Sequence, residues 1–275
     1  MKKAFLLIVS LVSIQYFCMA QEAYSDTTFI AVDSLKITQP APLSLFPNIG
    51  GKAMMTPTAW GGFETFVFGS IGGTFPQTYA INPDLIASVG FGTGNSYKTL
   101  GIIAIVDIND VSEIDNFTLS LIASRTLSIG NSVSIGAIHL FANRVKSDMG
   151  ASYYVAYSHA VQSMPSKFVG CAKLNYTIGI GTGRFYDKSY YDKIAGRGEH
   201  GTALFANISY EVLPLLNLGL EWSGLNLCSS LSWRPAINLP SVSIGVADLT
   251  RLSGDRARLL TGISYAYIIR NKKDK

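Results

Sequence analysis

Charge is scarce in this chain: Asp, Glu, Lys and Arg make up 15% of its 275 residues, against roughly 25% in ordinary soluble domains. A soluble sheet turns one face to water and carries charge there, so the shortage argues against such a face. The formal net charge is only +4, with no basic stripe, which leaves no electrostatic footprint for nucleic acid. Histidine and cysteine are scarcer still. His139, His159 and His200 are followed by Leu140-Phe141, Ala160-Val161 and Gly201-Thr202, so none has the His-x-Ser spacing that places a base and a nucleophile on one side of a strand. Ser158 beside His159 points to the opposite face. Past a leader, only Cys171 and Cys228 remain. They could pair in an oxidising compartment, although spacing alone does not fix a partner. Neither a CxxC pair nor a Cys/His cluster is present, so neither a metal nor a cofactor is expected. Also missing, beyond the first residues, is any uninterrupted apolar run near the roughly 20 residues that a spanning helix requires.

What the chain does have is alternation. Phe168, Gly170, Ala172, Leu174, Tyr176, Ile178 and Ile180 interleave with Cys171, Lys173, Asn175, Thr177 and Gly179. A tilted strand crosses a bilayer in roughly 9–11 residues, with side chains facing hydrocarbon and lumen in turn. The same pattern sets Phe117, Leu119 and Leu121 against Thr118 and Ser120, and Leu216, Leu218, Leu220 and Trp222 against Asn217, Gly219 and Glu221. In the first strand, Phe63, Phe66 and Phe68 occupy both faces. Strands are predicted near 62–72, 83–92, 97–107, 116–127, 132–143, 151–162, 168–181, 202–212, 216–223, 226–233, 240–248 and 257–270. The fold class expected is all-β, an antiparallel transmembrane β-barrel of about 12 strands, with 10–14 compatible with the pattern.

The organisation follows from the flanks. Lys2 and Lys3, an apolar stretch from Ala4 to Phe17 and the small-residue site Cys18-Met19-Ala20 read as a signal peptide over residues 1–20. Its removal would lower the formal charge from +4 to +2, since it carries two lysines and no acid. Residues 21–61, with Pro40, Pro42, Pro47 and Gly50-Gly51, form a periplasmic lead-in, 62–270 the barrel and 271–275 a C-terminal tail. Connections after odd-numbered strands tend to be long and those after even-numbered ones short, as in barrels with both termini in the periplasm. Gly224-Leu225 departs from that rule. A secreted glycan-binding β-sandwich also alternates, but its outer faces would carry Lys and Glu, where this chain places small uncharged residues. Trp222, Trp233, Tyr153 and Tyr267 lie near strand ends, as an interfacial aromatic girdle would.

Two groups of residues are candidates for function. Lys173, Glu211, Glu221 and Arg258 are charges on predicted lumen faces, either an ion-pair network bracing the wall or a constriction that selects solutes by charge. The predicted external loop 182–201 carries Arg184, Lys188 and Arg197 among Tyr186, Tyr190 and Tyr191, a composition able to contact anionic surface glycans.

The chain resembles Gram-negative outer-membrane β-barrel proteins over about Gly62 to Arg270. Within the lead-in, Gly50-Gly51-Lys52-Ala53-Met54-Met55-Thr56-Pro57-Thr58-Ala59 resembles the opening of YjbH-like barrels linked to exopolysaccharide production. With the bilayer fit, the even strand number and the absence of a catalytic constellation, the expectation is a non-enzymatic outer-membrane barrel acting as a small pore or, as the resemblance implies, a surface-polysaccharide export or assembly factor. Its partners would be outer-membrane lipid and lipopolysaccharide, the barrel-assembly machinery and surface polysaccharide. The alternative within the same compartment is a lipid-modifying acyl hydrolase.

Overall fold

A computed structural model describes residues 45–47, 53–62, 64–111, 114–142, 150–168, 170–236 and 239–269. The expected signal peptide, most of the lead-in and the C-terminal tail lie outside these residues. The chain forms a closed barrel of twelve strands. They are β1 (Phe66–Phe75), β2 (Asp84–Gly94), β3 (Gly101–Asp110), β4 (Asp115–Ser128), β5 (Asn131–Leu140), β6 (Ser152–Ala160), β7 (Leu174–Gly181), β8 (Leu204–Leu213), β9 (Leu216–Trp222), β10 (Leu227–Trp233), β11 (Ser241–Ala247) and β12 (Arg258–Ile268). Each pairs antiparallel with its neighbours in sequence, and β12 returns to β1 over Leu259↔Phe75 to Ile268↔Phe66, which closes the wall. No helix among the described residues is long and apolar enough to cross a membrane.

Period-two alternation sorts the side chains as a barrel requires. Every strand exposes a large apolar residue on its outside: Val67, Val89, Ile102, Leu121, Ile135, Val155, Ile178, Ile208, Leu220, Leu231, Ile244 and Tyr265 in order. The inside is made of buried small hydroxyls, including Ser88, Ser124, Ser132, Ser158, Thr177, Ser232 and Ser264. Tyr153 and Trp222 stand at one rim, Trp233 and Tyr267 at the other.

Three local departures from the expected pattern have physical causes. On β1 the aromatic rings of Phe66 and Phe68 turn inward and are buried. Directly across the pair lie Gly92 and Gly90, where an added Cβ would meet the rings at 2.1 and 2.2 Å. Tyr154 over Gly136 and Phe205 over Gly179 repeat the arrangement. A ring covers the bare backbone of a paired glycine, and the glycine makes room for the ring. β7 begins at Leu174, six residues later than the alternation suggests. Ser166 N donates to Cys171 O (2.8 Å) and Lys173 N to Met164 O (2.7 Å), which turns the chain back on itself before the strand begins. Cys171–Ala172 then pairs in parallel with Phe46–Pro47 instead of with a barrel strand. On β5 a bulge sets Ile138 and His139 against Ser120, with register passing from Leu121↔Ala137 to Leu119↔Leu140. His139 has φ +56° there, and the extra residue re-aims its side chain.

The longest connection, 182–203, follows odd-numbered β7 as expected, and a short helix α1 (Tyr190–Ile194) sits within it. This end of the barrel, with 76–83 and 248–257, is its loop end; the opposite end, where the chain enters β1, is its turn end. Length does not separate the two ends cleanly, because 161–173 lies at the turn end and 223–226 at the loop end. Cys171 and Cys228 are separate buried thiols.

Candidate functional site

The lumen is occupied by the chain's own N-terminal segment. From Met54 near the loop end, residues 54–62 run to the turn end, and almost every residue is fastened to the wall. Glu221, on the inner face of β9 and 2% exposed, accepts from Met54 N (2.6 Å), Met55 N (2.9 Å), Thr56 N (2.9 Å) and Thr56 Oγ1 (2.8 Å). Successive backbone N–H groups converging on one carboxylate form an anion-binding nest. Here the anion belongs to the wall and the nest to the segment. Below it, Asn207 Nδ2 donates to Thr56 Oγ1 (2.9 Å), Ala59 N donates to Ser158 Oγ (2.8 Å), and Ser132 Oγ donates to Ala59 O (2.6 Å). Ser96 Oγ holds Gly61 O (3.1 Å) at the turn end. Ala59 is fully buried among Ile138, Tyr154, Ala156, Phe185 and Phe205. Small residues make this fit possible: a Cβ added at Gly61 would meet Ser124 Oγ at 1.5 Å, and one at Gly62 the Phe66 ring at 2.4 Å.

The loop end is closed by two buried side chains. Asp192 of α1 accepts from Ser253 Oγ (2.5 Å), Tyr79 Oη (2.6 Å), Gly254 N (2.6 Å) and Ser189 Oγ (3.0 Å), pinning the loops 76–83, 182–203 and 248–257 on one carboxylate. Burial works against its ionisation, but the hydrogen bonds from Ser253, Tyr79, Gly254 and Ser189 outweigh it and hold the carboxyl below the usual carboxylate range. Burial, with the bond to Asp192, pushes the Tyr79 hydroxyl up to about 12. Asn226 donates to Asp248 Oδ1 (2.9 Å) and Ser253 O (2.6 Å), and accepts from Leu252 N (2.9 Å), Thr250 Oγ1 (3.1 Å) and Ser253 N (3.2 Å). Both ends of its amide are thereby used.

The four charges expected on lumen faces fall into two groups, and Lys173 precedes β7, in the connection, and so stands on no wall strand. Glu221 and Arg258 share a row near the loop end, where Glu221 is opposite Cys228 and Arg258 opposite Ala247. Arg258 Nε bonds Asp248 at 2.5 Å and its Nη1 reaches Thr74 Oγ1 at 3.2 Å. Glu211 and Lys173 lie at the turn end, where Lys173 O accepts from Glu211 N (2.9 Å) and Glu211 Oε1 from Leu215 N (3.3 Å).

The loop residues divide as well. Arg184 turns into the lumen, where Nη2 approaches Met55 O (3.4 Å) and Nη1 lies 3.5 Å from His139 Nε2. Lys188 Nζ donates to Arg197 O (2.5 Å) and Leu252 O (2.7 Å), and Arg197 Nη1 to Arg251 O (2.6 Å). These cations stitch one loop to the next. Tyr186 stacks on His200 with centroids 4.3 Å apart. Tyr191 meets Tyr79 at 5.6 Å, and Tyr190 is 70% exposed.

Sequence reasoning did not reach Asp192 or Asn226, which sit in loops where no periodicity announces burial. His139 falls in the sequence on an apolar face with Val133 and Ile135, a position that points to a bulge, a subunit contact or a strand end, and the β5 bulge is what the structure shows there. No protein-family model matches this chain, and no curated protein matches its sequence.

Proposed function

We propose that this chain is a non-enzymatic, integral outer-membrane β-barrel protein, stoppered from within, that serves surface-polysaccharide export or assembly as a gated barrel and not as a standing open pore. The observation that carries the reading is the pairing of a continuous apolar outer wall with a lumen occupied by residues 54–62. Such a wall exceeds the few hundred Å² of contiguous apolar surface that a soluble monomer exposes, and lipid and lipopolysaccharide are its natural covering. Insertion would fall to the barrel-assembly machinery. The polysaccharide part rests on the resemblance of residues 50–59 to YjbH-like barrels, and Met54 to Ala59 of that stretch lie in the lumen. Gating is favoured because the stopper is held chiefly by side-chain to backbone hydrogen bonds, which can be exchanged for water, and not by strand pairing with the wall.

Reconstitution of the full chain in planar bilayers tests this. The native protein should be silent or open only briefly, and Glu221→Ala should conduct in discrete steps. Steady channels from the native protein would remove the stopper from the reading. Recovery of the native protein in the soluble fraction of its cells, without heat-modifiable gel migration, would remove the membrane barrel itself.

A further inference from the structure

The chain meets the turn end on both sides of the stopper. Phe46–Pro47 pairs in parallel with Cys171–Ala172 in the connection 161–173, and Phe46 N donates to Gly170 O (2.8 Å). Met54 then stands at Glu221 near the loop end, and by Gly61 the chain is back at the turn end on Ser96. From Pro47 to Met54 it can reach at most roughly 25 Å, too little to pass outside the wall and over the loops. The segment therefore enters and leaves the lumen by the same end, with Met54 to Thr56 at its innermost point. Its leaving side is fixed there, because Phe66 opens β1 at that end. A loop of chain anchored in this way comes out by the end at which it went in.

Residues 45–47 fasten the entering side. Leu45 N donates to Gln162 Oε1 (2.8 Å) and Gln162 Nε2 donates to Leu45 O (2.9 Å), so one side-chain amide holds both backbone polar groups of one residue. The Leu45 side chain packs on Trp60, Ala160 and Ala172, and the Phe46 ring meets Tyr97 edge-on at 5.7 Å. Trp60 belongs to the leaving side of the stopper and is buried. Entering and leaving sides thus share one apolar contact, which withdrawal of the stopper has to break. Among the described residues this fastening amounts to a two-residue pair and one amide, whereas four donors converge on Glu221. Leu45 is also where the preceding chain joins it, so a load on that chain reaches the Gln162 amide before it reaches Glu221.

We propose that residues 45–47 are a latch: displacing them from Gln162 and from Cys171–Ala172 lets the stopper withdraw toward the turn end. The proposal rests on the reading of the protein as a stoppered, gated barrel. Phe46 and Cys171 stand opposite each other, and paired strands roughly 4.8 Å apart bring their Cα atoms within disulfide range. Phe46→Cys is therefore combined with Glu221→Ala in the full chain, oxidised with copper–phenanthroline, checked by intact mass and recorded in planar bilayers. The oxidised double variant should be silent and should conduct in discrete steps once dithiothreitol opens the bond. Adding Cys171→Ser should make conduction indifferent to both reagents. Gln162→Ala, with Glu221 intact, should raise the open fraction on the order of 10-fold, the worth of the two hydrogen bonds to Leu45. Conduction by the oxidised double variant, a Gln162→Ala chain no more open than the native one, or failure of the bond to form would each overturn the latch and leave the stopper standing. A Glu221→Ala chain that stays silent on its own removes the gated reading itself, and the latch with it.

Discussion

On β8, Ile208 and Tyr210 are 43% and 40% exposed, whereas Asn207, Ser209 and Glu211 between and beside them are at most 9% exposed. A soluble sheet reverses that assignment. The outer wall of this barrel offers apolar side chains, and its inner wall is matched to a polar peptide. The strands are held by their own closed ladder, whereas the stopper depends on donors and acceptors matched one to one. The two faces should therefore fail under different substitutions.

The largest effect is expected on the inside. Glu221→Leu leaves three backbone N–H groups and a hydroxyl without their acceptor, which should cost the stopper about 3 kcal/mol or more. Hydrogen exchange at residues 54–56 should then rise about a hundredfold, and unchanged exchange would separate the stopper from Glu221. Next comes the outer wall: Ile244→Arg, at the middle of β11, should destabilise the folded barrel in bilayers by about 2–3 kcal/mol, read from denaturant midpoints. In water-soluble surroundings the same change would be nearly neutral, so a small effect would argue against lipid at that face. Gly90→Ala forces a methyl group against the Phe68 ring and should cost about 1–2 kcal/mol through overpacking. The double variant Gly90→Ala with Phe68→Leu should recover part of that loss.

The loop end should show a pH window. The Asp192 pKa is depressed in the folded protein, so its contribution is present above the unfolded carboxylate value of about 4 and is lost as pH falls through the folded one. The Tyr79 pKa is raised, so its contribution is complete below its unfolded value of about 10 and is lost as pH rises through about 12. Pepsin cleavage within 182–203 should increase as the solution is acidified below about pH 4, and Asp192→Asn should raise cleavage before that point is reached. The smallest effect is expected for Ser230→Ala. Ser230 Oγ is buried with no hydrogen-bond partner among the described residues, and its loss should shift stability by less than about 0.5 kcal/mol.

The wall was legible because alternation is a local property. β8, β9 and β12 lie within two residues of their expected bounds, each marked by a clean apolar and polar face. The inward turn of Phe66, Phe68, Tyr154 and Phe205 was not legible, since it depends on glycines in the neighbouring strand and so on register. The first half of the 168–181 run misled for a related reason: a six-residue alternation looks the same whether its partner is a barrel strand or Phe46–Pro47. Glu221 and Arg258 were found as inward charges, but their partners come from residues 54–56 and from a loop, where spacing carries no signal. The stopper is too short and too rich in small residues to show any period. Only its resemblance to the opening of other barrels set it apart.

The seam between β12 and β1 also fixes an order of events. Residues 54–62 precede every strand of the wall, whereas the last strand to be synthesised is the one that seals it. The stopper is thus present before the enclosure exists, and the simplest route to the finished molecule draws the wall shut around it, so that no folded lumen has to be threaded. Maturation would then be complete only when the seam is, and a chain arrested before β12 would leave the same segment open to proteases.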